Sequence, residues 1–223
     1  MASTNSDESV SGGGCPVKQT VPLSTARQCS TIPKGEVTPQ HQPEGANVWV
    51  YPSEQQYFNA MKRKGWEAQE QDVPIVLAIH NAVNEQGWSK VREWEAMRGG
   101  DPKLKEFRGR PNDISPKAWF KTNVLGYKPP FDRHDWVVES AGREVRYVID
   151  FYAGKGTPER PVALHLDVRP ALDSADAALH RACMFAKEEL RLGVERVPTL
   201  GGLAAAAARD GGQPPDDRPP PAR

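Results

Sequence analysis

Four side chains on one predicted helix carry the strongest chemical signal in the chain. Residues 73–94, VPIVLAIHNAVNEQGWSKVREW, contain His80, Asn81, Asn84 and Glu85. Apolar side chains recur around His80 at helical intervals, Val76 and Leu77 before it and Val83, Trp88 and Val91 after it, so the imidazole is expected to point inward. Asn84 falls one turn below His80, and Asn81 and Glu85 are one turn apart on the adjoining flank. Burying such groups is costly unless they are paired or bind something. Two readings follow from the residues alone, a satisfied core histidine and a metal ligand.

A second polar constellation is Pro130-Phe131-Asp132-Arg133-His134-Asp135-Trp136, a histidine flanked by two aspartates and an arginine with Trp136 beside it. It suits either a hydrogen-bonded structural corner or a site that orients a charged ligand. Trp49 and Tyr51, two apart in an extended segment, point the same way and make either plain core or an aromatic wall for a flat ligand. His165 and His180 fall off the apolar faces of their predicted elements and are expected to be solvated. Three cysteines, Cys15, Cys29 and Cys183, lie far apart with no CxxC, which argues against a zinc knuckle or a disulfide framework. CxxCH is also absent, so the chain is not itself a c-type cytochrome.

The elements that must position these residues point to an α+β class, a small antiparallel β-meander packed with several helices. Ser53, followed three residues later by Gln56, predicts a capping box opening a helix over about 53–64 that ends at Gly65. The central helix follows, with Asp72 as its expected cap, Pro74 tolerated in the first turn, and Gly99 and Gly100 as its stop. Residues 101–130 read as turns and short pieces, broken by Gly109, Pro111, Pro116, Gly126, Pro129 and Pro130. Period-two patterning then predicts a hairpin, 136–139 and 144–152, with Val145, Tyr147, Ile149 and Phe151 on one face, and a further strand over 162–168. A last helix, about 174–192, repeats Ala178, Leu179, Ala182, Phe185, Ala186 and Leu190. Residues 1–45 read as a flexible leader, 46–192 as the folded domain and 193–223 as a low-complexity tail. The two ends are expected to be disordered, because their composition offers too little apolar surface to offset chain entropy.

Lys and Arg number 29 and so do Asp and Glu, which argues against a general polyanion binder, so no nucleic-acid partner is expected. The charge is uneven: Arg98, Lys103, Lys105, Arg108, Arg110, Lys117, Lys121 and Lys128 face only Asp101, Glu106 and Asp113 in the same stretch. That excess suits an anionic membrane surface, the carboxylates of a ligand, or a merely solvated loop region. No run approaches the roughly 20 apolar residues that cross a bilayer. The N-terminus has no apolar core of a secretion signal, and its acidic Asp7 and Glu8 are unlike a matrix presequence. Cys15-Pro16-Val17 in the leader carries a thiolate of the kind that can reach ferric haem, with proline stiffening the backbone beside it, although so short a motif also arises by chance.

Taken together, the segments Trp49–Gln55 (WVYPSEQ), Asn59–Trp66 (NAMKRKGW), Ile79-His80-Asn81 with Asn84-Glu85-Gln86 and Trp88, Pro130–Trp136, Arg146–Asp150 (RYVID) and Asp167–Ser174 (DVRPALDS) resemble holocytochrome c synthase, the mitochondrial cytochrome c haem lyase family. The motifs stand in the family's order over about residues 22–190. The single Cys-Pro-Val element also fits, although family members often carry more than one.

The resemblance implies an enzyme, a lyase that binds haem and apocytochrome c, and in some members apocytochrome c1, and joins the haem vinyl groups to the two cysteines of CxxCH by thioether bonds. It implies b-type haem held as substrate, with His80 as axial ligand to the iron and Glu85 helping to form the same catalytic site. Asn81 flanks them, Trp49 and Tyr51 match aromatics near the haem, and His134 matches a second family histidine with a lesser role in haem binding, with Arg133 and Trp136 beside it as further candidate haem contacts. Arg133 is a candidate to hold the propionates or to favour substrate thiolates, and Cys15 is a possible secondary haem contact. The implied location is the intermembrane-space side of the mitochondrial inner membrane, peripheral to it. A non-catalytic haem chaperone or sensor and a silent adaptor at the membrane are the alternatives.

Overall fold

A computed structural model describes residues 19–36, 38–39, 41–157, 163–193 and 197. Cys15, most of the expected tail and the start of the strand expected at 162 lie outside the described residues. The chain divides into two compact units, Met1–Gln28 with Pro52–Ile79, and Cys29–Tyr51 with His80–Arg223.

In the first unit, helix α1 (Glu54–Arg63) starts as its sequence predicts. The Ser53 hydroxyl accepts the N–H of Gln56 while the Gln56 side chain accepts the N–H of Ser53. Phe58 is buried with Leu23 and Val73, and Tyr57 and Ala68 pack against them. Glu70 fixes the incoming chain by accepting the N–H groups of Val21 and Thr20, each at 2.7 Å. Those bonds, Val21 foremost, hold its carboxyl below the ordinary range. Glu70–Asp72 is a 3-10 turn leading into α2 (Val73–Ala96), and this turn stands where Asp72 was expected to cap the helix.

In the second unit, β1 (Cys29–Pro33) pairs antiparallel with β2 (Val48–Val50). A separate antiparallel sheet has the order β3-β4-β5-β6, formed by Lys103–Gly109, Asp132–Ser140, Arg143–Ala153 and Leu164–Pro170. The β4–β5 turn is the expected hairpin: Ala141 and Gly142 both have positive φ, 49° and 72°, between Ser140 and its partner Arg143. Helices α3 (Pro116–Asn123) and α4 (Ala175–Glu188) complete the α+β architecture. One face of the sheet buries Trp136, Val138, Tyr147, Ile149, Leu166 and Val168 against Trp88 and Val91 of α2. Gly87 permits this approach, since a Cβ there would stand 3.3 Å from the Trp136 ring.

Three expectations are corrected. The meander has four strands rather than three, because β3 and α3 both form inside the stretch read as turns. β1 forms in what was read as leader. On α4 the buried side chains are Ala177, His180 and Met184, whereas Phe185 of the predicted apolar stripe is 57% exposed; the face lies one position away from where alanine and leucine spacing put it.

Candidate functional site

From His80 onward α2 carries the predicted cluster, and the cluster is real. Asn84, buried, points an amide N–H at His80 Nδ1 from 3.2 Å and donates to the His80 carbonyl at 2.9 Å. His80 itself is half-buried. One flank over, Glu85 gathers donors from the small sheet: the Thr31 N–H at 3.0 Å, the Thr31 hydroxyl, and the Tyr51 hydroxyl at 2.9 Å. Tyr51 also lies 3.4 Å from the Asn81 carbonyl. Burial first, and then the Glu85 carboxylate, push the Tyr51 phenol far above its ordinary range, so it stays a donor. Glu85 is thus a fixed acceptor that ties α2 to β1 and to Tyr51 just past β2, and Tyr51 in turn lies against the backbone of Asn81, next to His80.

Trp49 does not share this arrangement. Its indole N–H reaches the Leu104 carbonyl at 2.8 Å, its ring lies 6.0 Å from that of His41, and its body packs on the main core. Of the aromatic wall predicted from Trp49 and Tyr51, only Tyr51 meets the α2 polar groups.

His134 on β4 stands between aromatic rings, Phe107 at 4.7 Å and Phe151 at 5.0 Å, with Phe131 a further step along at 6.3 Å from Phe151. Its Nε2 lies 3.3 Å from Asp132, and its buried Nδ1 has no hydrogen-bond partner among the described residues. Its neighbours are structural. Arg133 is 7% exposed and forks onto Asp135 with Nε at 3.0 Å, and the same carboxylate receives Arg146 at 2.7 Å. A guanidinium so held is a poor candidate for propionates or thiolates. Trp136 is 1% exposed inside the core beside Trp88 and Phe107, which leaves it no face for a ligand.

The expectation for His180 is overturned. It is fully buried, with Nδ1 accepting from Arg98 Nε at 2.8 Å and Nε2 set 3.0 Å from the Trp94 carbonyl. Burial, with the Arg98 charge adding to it, pushes its pKa down to about 4. His165 is exposed, as expected. The basic excess between 98 and 128 is largely consumed: Arg98 pairs with Asp176, Lys105 with Glu144, Arg108 with Glu106, and Lys117 with Asp167. A cavity of about 530 Å³ lies among Arg98, Arg143, Arg146, Asp173, Asp176 and His180, and none of the predicted site residues lines it. Among the described residues no group of three or more His, Cys, Asp or Glu side chains is placed to hold a metal ion.

The family model described as "Cytochrome c/c1 heme lyase" matches residues 9–100 and 97–185. The chain belongs to that family. Its relatives include the holocytochrome c-type synthases of Gallus gallus, 41% identical over 172 residues, and of Homo sapiens, 40% identical over 168 residues. These alignments cover 73% and 71% of this chain, and the chain spans 60% and 59% of those two relatives' length. The holocytochrome-c synthase of Saccharomyces cerevisiae is 38% identical over 193 residues, covering 75% of this chain and 69% of the relative. No solved structure matches the chain.

For a haem lyase family member, the residue that sequence reasoning missed is Thr31. Nothing in Cys29-Ser30-Thr31-Ile32-Pro33 marks it; only pairing of β1 with β2 brings its N–H and hydroxyl to Glu85.

Proposed function

We propose that this chain is a cytochrome c haem lyase that takes b-type haem and apocytochrome c, or c1, as substrates and forms thioether bonds between the vinyl groups and the CxxCH cysteines. Each thiol adds across a vinyl double bond, sulfur to one carbon and hydrogen to the other, so no oxidant or reductant is consumed. The supporting observation is His80, half-buried on α2 within a family-matched segment and flanked by Asn84 and the wired Glu85. A neutral imidazole on a packed helix is a ligand that haem iron accepts, and the histidine of CxxCH is suited to the opposite axial place. Holding ring and peptide together replaces an improbable encounter by proximity. Because the haem leaves with the product, one protein ligand suits the reaction better than two.

In the present arrangement Nδ1 accepts from Asn84, which puts the neutral ring's proton on Nε2. Ligation through Nε2 therefore moves that proton to Nδ1 and turns the Asn84 amide so that its oxygen accepts it. Glu85 and Tyr51 position the helix turn that carries His80 and do not themselves reach it through any bond described above. Cys15 and His134 remain proposed secondary contacts.

The proposed site of action is the intermembrane-space face of the mitochondrial inner membrane, with the chain peripheral to it. The likeness to the family supports this reading, and no helix among the described residues is long and apolar enough to cross a membrane. The deciding experiment is co-expression with an apocytochrome c, followed by haem staining after denaturation. A stain that survives on the cytochrome is expected. Soret absorbance on this chain with no surviving stain would mean a haem chaperone or sensor instead, and no Soret band at all would mean an adaptor.

A further inference from the structure

Residues 116–131, PKAWFKTNVLGYKPPF, expose Trp119, Phe120, Val124, Leu125, Tyr127 and Phe131 by 50–62% each. Six large apolar side chains so close together on one rigid segment are not the scattered exposure normal on a protein surface. The stretch contains Lys117, Lys121 and Lys128 and no acidic residue, in a chain whose basic and acidic residues balance at 29 and 29 overall. We propose that residues 116–131 form the face by which this chain docks on an anionic lipid bilayer, a proposal that rests on the peripheral membrane location proposed above.

The segment is held, so the exposure is built into the fold. Ser115 caps α3 by accepting the Ala118 N–H at 3.2 Å, and its hydroxyl donates to the fully buried Asp150 at 2.6 Å. Arg169 closes the same network on Asp150 at 2.6 Å. Ala118 is the one buried side chain of α3, so the helix is pinned along one edge and presents Trp119 and Phe120 outward. At the other end the Phe131 N–H donates to the Phe151 carbonyl at 2.9 Å, and between them the Tyr127 N–H donates to the Lys121 carbonyl at 3.0 Å.

The chemistry of the exposed groups selects the occupant. Indole and phenol rings with a polar handle settle at the headgroup level of a bilayer, and phenylalanine and leucine enter the acyl boundary. Lysine stems lie along apolar surface while their ammonium groups reach phosphates. Asp167 lies 2.7 Å from Lys117 and 3.7 Å from Lys121, but it carries one negative charge against the three lysines, and Lys128 is exposed. The remaining charge is positive, and an anionic surface complements it.

The test is co-sedimentation of the full chain with vesicles of phosphatidylcholine alone and of phosphatidylcholine mixed with phosphatidylglycerol. The wild type is expected on the mixed vesicles, with binding weakened by salt. The Trp119→Ser/Phe120→Ser variant is expected to bind about tenfold or more weakly, Lys128→Glu less severely, and Phe185→Ser on α4 as well as wild type. Thioether formation without membranes should be unchanged in all of them. The proposal is overturned if the wild type stays in solution, or if Trp119→Ser/Phe120→Ser sediments normally. It is equally overturned if that variant instead raises KM for apocytochrome c, since the face then belongs to a protein contact. Vesicle binding without any thioether product in the wild type would sink the lyase reading and leave the docking face standing.

Discussion

His80 and His180 stand on α2 and α4 of the same unit, and burial sets them apart. His180 is 0% exposed, and both of its nitrogens are held, one by a guanidinium and one at a backbone carbonyl. A ring so fixed has no coordination to offer and serves to join α4 to the end of α2. His80 is only half-buried, and Asn84, which meets it at Nδ1, is an amide able to act as donor or acceptor. On the proposed assignment, the ligating histidine is the one with an adaptable neighbour, and the structural one has two committed partners.

Exchanging each histidine for alanine should separate the two roles. His80→Ala is expected to reduce thioether product by more than about a hundredfold, beyond what loss of an outer partner costs, and to abolish co-purified haem while Tm stays near wild type. Haem staining and a Soret scan read the first two, and calorimetry the third. Normal maturation by this variant would falsify the axial assignment.

For His180→Ala the damage should fall on stability. The substitution empties space beside the Trp94 ring and strips a partner from Arg98 and from the Trp94 carbonyl, a loss of about 2–4 kcal/mol. Product per folded molecule should be unchanged. The depressed pKa gives a second signature. Below the ordinary value of 6.5 the unfolded chain takes up a proton that the folded ring refuses until about 4. Stability should therefore fall as pH drops from 6.5 to about 4, by up to about 3 kcal/mol, and level off on either side. Urea titrations across that window should show a distinctly shallower dependence in His180→Ala, and an identical slope would remove His180 as the cause.

The same contrast explains what could be read from the residues in order. Capping at Ser53 and Gln56, the α2 periodicity and the Val145–Phe151 alternation are local signals, and each became the expected element. β3, KLKEFRG, failed as a signal because an edge strand needs little apolar alternation, and only Leu104 of it is buried. α3 was hidden because its aromatics face outward, leaving Ala118 as its one buried side chain. On α4 the alanines and leucines suggested one face, while the fold buried His180, whose partners Arg98 and Trp94 lie more than eighty residues away. The candidate site divides likewise. Asn81, Asn84 and Glu85 were legible because helical spacing places them, whereas Thr31 required a strand pairing that its own residues do not announce.

Glu85→Gln probes that pairing at smaller cost. The amide oxygen can keep both the Tyr51 hydroxyl and the Thr31 N–H, which share one carboxylate oxygen, but an N–H stands where the other oxygen received the Thr31 hydroxyl. About tenfold less product is expected, within the range for loss of an orienting partner, with haem still bound. Thr31→Val should lower product in the same direction, and full activity in both variants would detach the β1–β2 sheet from catalysis.

The smallest effect expected is also the most specific, because it tests the adaptable neighbour directly. In Asn84→Asp the buried amide N–H facing Nδ1 is replaced by a carboxylate oxygen, which holds a proton on Nδ1 and puts the basic lone pair on Nε2. The ring becomes a stronger donor to iron. Haem affinity should rise a few-fold, by less than about tenfold, and the bound iron should become harder to reduce. Turnover should slow, since on the proposed assignment product departs only when the His80–iron bond breaks. The bond from Asn84 to the His80 carbonyl is lost as well, so some stability goes with it. Haem titration followed at the Soret band, paired with product formation over several turnovers, reads both sides. Tighter binding with slower release fits one reversible bond from His80 to the iron; weaker binding in a folded variant means Nδ1, or another residue, meets the haem instead.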